Sequence, residues 1–561
     1  MAFVPTLELH DYTIPGLLRR NAERLPDNDC VVAPEFSVRW SWKEFDRLTD
    51  VVARGFYAMG VRKGDHVAIW ATNVPEWMLT MFATAKLGAI LVTVNTNYKQ
   101  FELNYLLTQS DAKMLVMIPQ VRDNDYIEHI TGIMPSLLRE DPQHIAEAKV
   151  PFLKHVVLVG DSEKKPRGMR RFDELYALAE TVPQSVVEEH IAGLTTHEVI
   201  NMQYTSGTTG FPKGVMLTHH NITNNGQFMG DCMKFTHEDR LMIVVPLFHC
   251  FGCVLGVMSC LTHAATMVLM TRYNPEQEMA YLVAERCTAV HGVPTMFIGM
   301  LEHPSFDTFD FSHLRTGIMA GSPCPIKTMR DVTGKMHLSE LTITYGQTEC
   351  SPGMTMSRTD DPLELRVSTV GKLLPFAEGK IVNPETGDEL PRGMPGEIIT
   401  RGYHVMKGYY KMSEATKAAV DEDGWLHTGD IGTMDEDGNF RITGRLKDMI
   451  IRGGENIYPR EIEEFMYTHP AIRDVQVVGV PDEKYGEEVC ACVIFKDGSD
   501  VADEALIKFV REGLSRYKSP RYILRLQEFP MTASGKIQKY KLREMGVEQL
   551  GLQKAANIET A

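Results

Sequence analysis

The chain has 561 residues, which is too long for one hydrophobic core, so we expect at least two domains. Its composition, 43% hydrophobic and 24% charged, is typical of a soluble globular protein. The 58 basic and 74 acidic residues give a net charge of −16, which argues against a nucleic-acid-binding protein, because such proteins need a basic footprint. An acidic chain can still carry a locally positive site for an anionic substrate.

Neither the cysteines nor the N-terminus indicates a secreted protein or a zinc protein. The ten cysteines are scattered, and Cys250-x-x-Cys253 lacks the second ligand pair that a structural zinc site needs. We therefore expect buried free thiols in a reducing cytosol. The N-terminus has no secretory or transit pattern, which favours a cytoplasmic protein.

A long uncharged segment is the one candidate for a membrane span. Residues 241–271 contain no Asp, Glu, Lys or Arg, and their number is sufficient to cross a bilayer. Pro246, Gly252, Gly256 and His263 interrupt the segment. We therefore predict a buried strand, helix and strand inside a large core.

The first 200 residues alternate between strand and helix signals. Ser41 and Glu44 form a capping box in front of an apolar-periodic helix, and Gly60 is placed to end it. Pro75 and Gly88 bound a second helix. Short apolar strands are predicted at residues 67–70 and 89–94. Strands separated by helices of this length predict parallel sheet with helices on its faces.

Residues 204–214 form the most informative stretch, Tyr-Thr-Ser-Gly-Thr-Thr-Gly-Phe-Pro-Lys-Gly. Its glycines allow the backbone to approach a ligand closely, its hydroxyl and N–H groups can donate to phosphate oxygens, and Lys213 adds a positive charge. The order differs from that of the ordinary P-loop, in which Ser or Thr follows the lysine. A flexible surface turn is the alternative. The apolar segments on both sides favour a phosphate-binding loop.

After the loop the alternation continues and then changes character. Strands are predicted at residues 241–245, 266–270, 289–293, 317–320 and 341–344. Between residues 368 and 443, Gly, Pro and Asp punctuate short strands joined by hairpin-like turns. A new unit starts at 444–448, with predicted helices at 459–467 and 503–514 and strands at 475–480 and 488–495. These elements suffice for a separate small α+β domain.

Five further motifs follow the loop in a fixed order. They are Tyr345-Gly-Gln-Thr-Glu349, Thr428-Gly-Asp430, Gly444-Arg-Leu-Lys-Asp448, Arg452-Gly-Gly-Glu-Asn-Ile-Tyr-Pro-Arg-Glu-Ile462 and Met531-Thr-Ala-Ser-Gly-Lys536. Each motif alone is a modest signal, because a short T-G-D or S-G-K is more often a turn. The whole series makes the chain closely resemble the adenylate-forming superfamily, which includes acyl-CoA synthetases, luciferases and the adenylation domains of peptide synthetases.

Within that superfamily the chain is most similar to medium-chain fatty-acid CoA ligases of the acyl-CoA synthetase family member two type. Residues 401–409, 448–459 and 535–539 carry this finer likeness, which extends over nearly the full length. The resemblance implies an α/β fold. A large N-terminal domain, residues 1–446, combines mixed or parallel sheets and packed helices with a β-rich subdomain. A small mobile α+β domain, residues 447–561, carries the adenylation lysine.

The resemblance also implies roles for individual residues at a nucleotide site. Glu349 and Thr205 hold Mg²⁺, Thr348 contacts the α-phosphate, Tyr345 stacks on adenine, and Asp430 accepts the ribose hydroxyls. For Glu349 the alternative is a structural ion pair beside the loop. The nucleotide-binding set that the resemblance implies is Thr205, Ser206, Gly207, Thr208, Thr209, Gly210, Lys213, Gly321, Ser322, Tyr345, Gly346, Asp430, Arg445, Lys447, Gly453 and Gly454.

The same likeness implies a reaction in two halves. Lys536 bridges the substrate carboxylate and the α-phosphoryl oxygens, so that acyl-adenylate and pyrophosphate form, and a thiol then displaces AMP. The small domain rotates between the two steps about Lys447, which brings the loop of Gly453 and Gly454 to the thiol path. A solvated surface lysine is the alternative reading of Lys536, although the complete motif argues against it.

The uncharged segment is where the resemblance implies the acyl pocket. We place His249, Phe251 and Gly252 there, with residues 293–295 opposite, and count His249 among the catalytic candidates. His249 can equally be a packed core histidine. The segment lacks the acidic residue with which peptide-synthetase domains bind an amino group, which favours an apolar acid.

Several functional alternatives stay open at this point. The acceptor is expected to be free coenzyme A, but the thiol of a carrier protein is the runner-up. A luciferase-like oxygenase and a non-catalytic nucleotide-binding or scaffold protein are less favoured, the latter because Lys213, Glu349, Asp430 and Lys536 are all intact. The expected small molecules are ATP, Mg²⁺, coenzyme A and a carboxylic acid, with no nucleic acid and no integral membrane segment. A homodimer is the default assembly.

Overall fold

The computed structural model describes residues 8–206, 211–321, 324, 326–384, 386–445, 450–457, 459–496, 498–530, 537 and 539–556. The strands are β1 (Asp29–Ala33), β2 (Val38–Ser41), β3 (His66–Trp70), β4 (Ile90–Thr93), β5 (Met114–Met117), β6 (Gln120–Val121), β7 (Asn124–Asp125), β8 (His155–Leu158), β9 (Arg170–Arg171), β10 (Val199–Ser206), β11 (Pro212–Thr218), β12 (Arg240–Ile243), β13 (Thr266–Leu269), β14 (Ala289–Gly292), β15 (Thr316–Met319), β16 (Glu340–Gly346), β17 (Gly353–Met356), β18 (Lys372–Leu373), β19 (Ala377–Val382), β20 (Gly396–Gly402), β21 (Gly408–Tyr409), β22 (Leu426–Met434), β23 (Phe440–Arg445), β24 (Ile450–Arg452), β25 (Glu455–Ile457), β26 (Ile472–Asp482), β27 (Gly486–Phe495) and β28 (Tyr522–Arg525).

The α-helices are α1 (Ile14–Arg24), α2 (Trp42–Ala58), α3 (Pro75–Leu87), α4 (Gln100–Gln109), α5 (Tyr126–Ile133), α6 (Glu174–Ala179), α7 (Gln184–Ala192), α8 (His219–Cys232), α9 (Ser259–His263), α10 (Pro275–Ala284), α11 (Pro294–Leu301), α12 (Ile326–Lys335), α13 (Leu363–Ser368), α14 (Ser413–Ala419), α15 (Pro459–Tyr467), α16 (Asp503–Gly513), α17 (Lys539–Gln549) and α18 (Gln553–Ala556). A π-helix, Phe251–Met258, precedes α9, and short 3-10 turns include Thr348–Cys350.

Two large mixed sheets form the framework of the first 440 residues. One has nine strands in the order β18-β17-β16-β15-β14-β12-β13-β1-β2, and the other has eight in the order β21-β11-β10-β4-β3-β5-β8-β9. The strands in the middle of each sheet are parallel, as at β12–β13 and β3–β4, whereas edge pairs such as β1–β2 and β11–β21 are antiparallel. One continuous apolar cluster contains strands of both sheets. The predicted mixed or parallel sheets with covering helices are confirmed.

Local signals place several of these elements correctly. Helix α3 begins at Pro75 and ends before Gly88, whose left-handed conformation with φ of 66° closes the helix. Helix α2 begins after Ser41, whose hydroxyl accepts from the backbone N–H of Glu44 at 3.2 Å. Gly60, with φ of 87°, follows the end of that helix.

The uncharged segment is buried core. It folds as β12, the π-helix, α9 and β13, and every residue of the π-helix is buried. None of the helices in the described part of the chain combines the length and the apolarity that crossing a bilayer requires. All ten cysteines are buried and unpaired as disulfides, which confirms the prediction of free thiols.

The β-rich subdomain and the small C-terminal unit are separate sheets. Strands β19, β20, β22 and β23 form an antiparallel sheet from residues of the predicted hairpin region. Beyond residue 450, β25, β24, β27, β26 and β28 form a five-stranded sheet with apolar clusters of its own. The boundary between residues 446 and 447 stays a prediction, because residues 446–449 lie outside the described residues.

Candidate active site

The predicted phosphate-binding loop is the connection of a β-hairpin. Strands β10 and β11 are antiparallel, with Thr205 opposite Lys213. Residues 207–210 lie outside the described residues, so the predictions for Gly207, Thr208, Thr209 and Gly210 remain untested. The Nζ of Lys213 lies 4.7 Å from the ring centroid of Tyr409, an arrangement that holds a cation beside the loop.

Glu349 lies next to this hairpin although it is far away in sequence. It belongs to the 3-10 turn Thr348–Cys350, and its backbone carbonyl accepts from the N–H of Met406 at 2.8 Å. Its Oε1 accepts from the hydroxyl of Tyr409 at 2.8 Å and from that of Thr205 at 3.4 Å. The predicted metal pair of Glu349 and Thr205 is therefore brought together, and the alternative of a structural ion pair for Glu349 stays open.

The residues at this position fit a magnesium ion that is held mainly by its nucleotide. Mg²⁺ prefers oxygen ligands and is usually bound through one or two carboxylates together with substrate phosphates and water. Among the described residues the Glu349 carboxylate lies here with the hydroxyls of Thr205 and Tyr409, and no cluster of three His, Cys, Asp or Glu side chains suited to a metal occurs among them. The assignment of Mg²⁺ to Glu349 and Thr205 stays a proposal.

Tyr345 and Asp430 join two different sheets at the predicted nucleoside position. The hydroxyl of Tyr345, on β16, donates to Oδ2 of Asp430, on β22, at 2.9 Å. Burial first and the Asp430 carboxylate second raise the pKa of Tyr345, so its hydroxyl remains a donor. Asp430 pairs in register with Arg445 on β23, and Gly346 is the last residue of β16. The adenine and ribose candidates therefore lie side by side.

This contact gives a test of the nucleoside site. We expect Tyr345→Phe to raise the KM for ATP about tenfold, because the lost hydrogen bond to a charged acceptor orients Asp430 and contributes roughly 1.5 kcal/mol. Steady-state kinetics with ATP as the varied substrate measure this. Tyr410→Phe is the matched control, since its hydroxyl donates to Asp111 at 2.9 Å while its ring packs on His66. Equal KM values for the two variants would contradict the assignment.

The turn that holds Glu349 also contacts the predicted acyl segment. The Thr348 hydroxyl lies 3.5 Å from Sγ of Cys250, the residue before the π-helix. Next to it, Nδ1 of the half-buried His249 accepts from the N–H of Phe251 at 3.3 Å. Gly252, whose N–H donates to the carbonyl of His249 at 2.9 Å, lies so close to Pro246 that a Cβ would be 2.3 Å from its carbonyl oxygen. The α-phosphate and acyl candidates are thus neighbours.

A loop of the small C-terminal unit enters this same region. Gly453 and Gly454 have φ of 55° and 87°, which only glycine adopts without strain. A Cβ on Gly454 would lie 3.0 Å from Cγ1 of Val293 and 3.7 Å from the carbonyl oxygen of Gly321. The absence of side chains at Gly454 and Gly321 therefore allows the two backbones to approach closely.

Glu455 couples this loop electrostatically to His249. Burial lowers the pKa of His249, and the carboxylate of Glu455 acts in the opposite direction. Burial raises the pKa of Glu455, and His249, Lys518 and Arg452 oppose that effect in turn. His249 therefore faces the small unit as well as the acyl segment. Its predicted catalytic role and its alternative as a packed histidine both remain open.

Several predicted site residues cannot be placed. Ser322, Lys447 and Lys536 lie outside the described residues, and of Ser206 and Arg445 only the strand position is described. Sequence reasoning also missed site residues. Tyr409 lies within a quoted family motif but had no assigned role, and it contacts Glu349 60 residues earlier. No local signal could have revealed that contact or the one between Thr348 and Cys250.

The chain matches two family models. The family model described as AMP-binding enzyme matches residues 18–410, and its C-terminal domain model matches residues 461–536. The chain belongs to the AMP-binding enzyme family. The resemblance to adenylate-forming acyl-CoA synthetases and the α/β fold class are therefore confirmed, and the chain is a ligase of this class.

Two curated relatives and one solved structure resemble the chain over nearly its full length. YngI of Bacillus subtilis (strain 168), whose name places it among acyl-CoA synthetases, is 52% identical over 545 residues, or 97% of this chain and 99% of its own. The mitochondrial medium-chain acyl-CoA ligase ACSF2 of Bos taurus is 39% identical over 97% of this chain and 89% of its own. The solved Mycobacterium tuberculosis fatty acyl CoA synthetase superposes with a TM-score of 0.68 at 28% identity, over 96% of this chain and 99% of its own.

Proposed function

We propose that this chain is an ATP-dependent ligase that joins a medium-chain or similarly apolar fatty acid to coenzyme A. The observation that carries the proposal is the contact between Thr348 and Cys250, since it places the predicted α-phosphate residue directly beside the uncharged segment. A carboxylate bound along that segment would reach the α-phosphorus without crossing a charged region. The names of the two relatives described above support the acyl class.

In the first half-reaction a carboxylate oxygen of the acid attacks the α-phosphorus of ATP. The new oxygen–phosphorus bond forms as the bond to pyrophosphate breaks. Lys213 and the donors of the hairpin would hold the phosphates, and Lys536 would neutralise the charge that accumulates between the two anions. A bound Mg²⁺, held by Glu349 and Thr205, would supply further positive charge at the phosphates. Tyr345 and Asp430 would fix the nucleoside.

In the second half-reaction the sulfur of coenzyme A attacks the acyl carbon, and AMP leaves with the bonding electrons. The position of Gly454 against Val293 and Gly321 supports an assignment of the present domain arrangement to this step. The loop of Gly453 and Gly454 would line the path of the thiol, and His249 with Glu455 would face it. Rotation of residues 447–561 about Lys447 would then return Lys536 to the site for the next adenylation.

The decisive experiment measures pyrophosphate release with ATP, Mg²⁺ and a ladder of straight-chain and aromatic acids, with and without coenzyme A. We expect an optimum at medium chain length and full turnover only with coenzyme A. Release with another acid class would overturn the substrate assignment. If turnover requires the phosphopantetheine thiol of a carrier protein, that thiol and not coenzyme A is the acceptor. We place the reaction in the cytosol and take a homodimer as the assembly to test by size-exclusion chromatography.

A further inference from the structure

A buried lysine joins the small C-terminal unit to the large domain. Lys518 has a side-chain exposure of 1%, and its Nζ lies 2.7 Å from Oε1 of Glu102 on α4 and 2.7 Å from Oε1 of Glu461 on α15. Burial alone would lower the pKa of Lys518, but these two carboxylates raise it overall, so the lysine is charged. Glu102 itself has a side-chain exposure of only 3%. The ion pair is therefore shielded from water at the domain interface.

Polar contacts surround Glu102 on both sides of this interface. The hydroxyl of Ser515 lies 3.0–3.1 Å from both carboxylate oxygens and donates to the carbonyl of Asn97 at 2.8 Å. Lys99 donates through its backbone N–H to Glu102 at 3.1 Å and through its Nζ to the carbonyl of Glu512 at 3.3 Å. Residues of both domains therefore make hydrogen bonds around Glu102, and these bonds fix its position at the interface.

The two carboxylate partners of Lys518 lie in different domains. Glu461 belongs to the same small unit, so its bond to Lys518 can persist wherever that unit moves. Glu102 belongs to the large domain, so its bond exists only when the unit is docked as observed. Removing one partner of a buried ion pair leaves an uncompensated charge and is costly, so the docked arrangement depends on Glu102.

The Glu102–Lys518 ion pair lies near the loop that reaches the candidate site. Tyr517, next to Lys518, accepts from the amide of Asn95 at 3.3 Å, and the charge of Lys518 opposes the burial that raises the pKa of Glu455. Glu461 lies in the first turn of α15, six residues after Glu455. The ion pair therefore fixes the base of the segment whose tip, at Gly454, lies against Val293 and Gly321.

We propose that Glu102 and Lys518 are positioning residues for thioester formation, which hold the loop of Gly453 to Glu455 at the site during attack by the thiol. They touch neither reacting group and act through this loop. The inference rests on the proposed function, since it concerns the second of the two half-reactions. In the other domain arrangement Glu102 would be exposed to solvent, so the ion pair favours one step and not the other.

The test separates the two half-reactions in the full-length protein. Glu102→Gln keeps the shape of the side chain and one oxygen that can accept from the backbone N–H of Lys99, but removes the charge opposite Lys518. We expect conversion of supplied acyl-adenylate to acyl-CoA to slow by roughly 30- to 300-fold, because buried pairs of this kind are strongly coupled. Pyrophosphate release in a single turnover without coenzyme A should stay within about threefold of wild type.

A matched control exists inside the large domain. Lys86 is fully buried between Asp46 at 2.6 Å and Asp50 at 2.5 Å, which reproduces the arrangement of one lysine between two carboxylates. Asp46→Asn should lower the melting temperature but leave the ratio of the two half-reaction rates within about threefold of wild type. Glu102→Asp, which retains the charge, should recover most of the thioester rate.

The outcomes distinguish the inference from the function on which it rests. If wild type fails to form acyl-adenylate or acyl-CoA, the proposed function is wrong. If wild type performs both steps and Glu102→Gln slows neither, or slows both equally, the positioning role is wrong. Should Glu102→Gln not fold, Ser515→Ala removes only hydroxyl contacts and should slow thioester formation selectively, by about three- to tenfold. An unchanged rate in that variant would overturn the inference as well.

Discussion

Lys536→Ala is expected to lower the rate of acyl-adenylate formation by at least about 10²–10³-fold, the effect of removing one fixed donor from a developing charge. Both reactants are anions, so the barrier contains their mutual repulsion, and a cation between them acts mainly in the transition state. Attack of coenzyme A on supplied acyl-adenylate should stay near the wild-type rate. The measurement is pyrophosphate release in a single turnover, paired with acyl-CoA formation from synthetic acyl-adenylate.

Lys541→Ala is the control for this prediction. Lys541 lies five residues further along the chain, on α17, and is exposed. Its removal changes the net charge by the same amount, so a general electrostatic effect would appear in both variants. Loss of both half-reactions to the same extent in Lys536→Ala would contradict the proposed role and would indicate a structural lysine.

Glu278→Gln is expected to stabilise the protein above neutral pH. Glu278 lies on α10, is completely buried, and neither of its carboxylate oxygens has a hydrogen-bond partner among the described residues. Burial raises its pKa from 4.5 to about 8. A carboxyl group in such a position stays protonated in the native state at a pH where the unfolded chain has already released the proton.

The sign of the effect follows from proton binding. Well below pH 4.5 the group is protonated in both states and adds no pH dependence to the stability. Between pH 4.5 and 8 the native state holds a proton that the unfolded state lacks, so stability falls by about 1.4 kcal/mol for each pH unit. The loss reaches roughly 4–5 kcal/mol above pH 8. Glutamine does not titrate, so Glu278→Gln should unfold at a higher temperature at pH 8 and nearly match wild type at pH 4.5.

Thermal unfolding of the large domain between pH 4.5 and 8.5 measures this difference. Glu276→Gln is the control, because Glu276 lies two residues earlier on the same helix and is exposed, so its removal should leave the pH dependence unchanged. Parallel curves for wild type and Glu278→Gln would show that the Glu278 carboxylate is compensated when it ionises, and the prediction would then be wrong.

Local sequence signals predict the ends of helices more accurately than the ends of strands. Helix α3 was predicted to the residue, because Pro75 and Gly88 fix backbone angles at its two ends. Helix α15 was also predicted with its observed bounds, Pro459–Tyr467. Strand ends differ by up to three residues, as where the predicted strand 475–480 is observed as Ile472–Asp482. The end of a strand is set by its hydrogen bonds to the neighbouring strand. The sequence of one strand does not identify that neighbour.

The candidate site shows the same division. The sequence predicted a phosphate-binding loop with Lys213, together with Glu349, Tyr345 and Asp430, because the ordered motifs that contain them carry the family likeness. The hairpin around Lys213 and the 3-10 turn at Glu349 came only from the structure. It did not predict that Tyr409 donates to Glu349 or that Thr348 contacts Cys250. These contacts join segments that are 60 to 98 residues apart. The Tyr409–Glu349 contact depends on how the two large sheets pack, and the Thr348–Cys250 contact depends on the order of strands within the nine-stranded sheet. No local pattern encodes either of these.

By itself the sequence determined the family and the α/β class, and it predicted two domains and the residues of the candidate site, because backbone preferences and ordered motifs act over a few residues. Only the tertiary structure decided which surfaces of the two domains meet. Glu102 and Lys518 are 416 residues apart, and each alone is an ordinary charged residue, on α4 and on the short 3-10 turn Arg516–Lys518 respectively. Their pairing arises because docking removes both from water, and a buried charge is stable only beside its opposite.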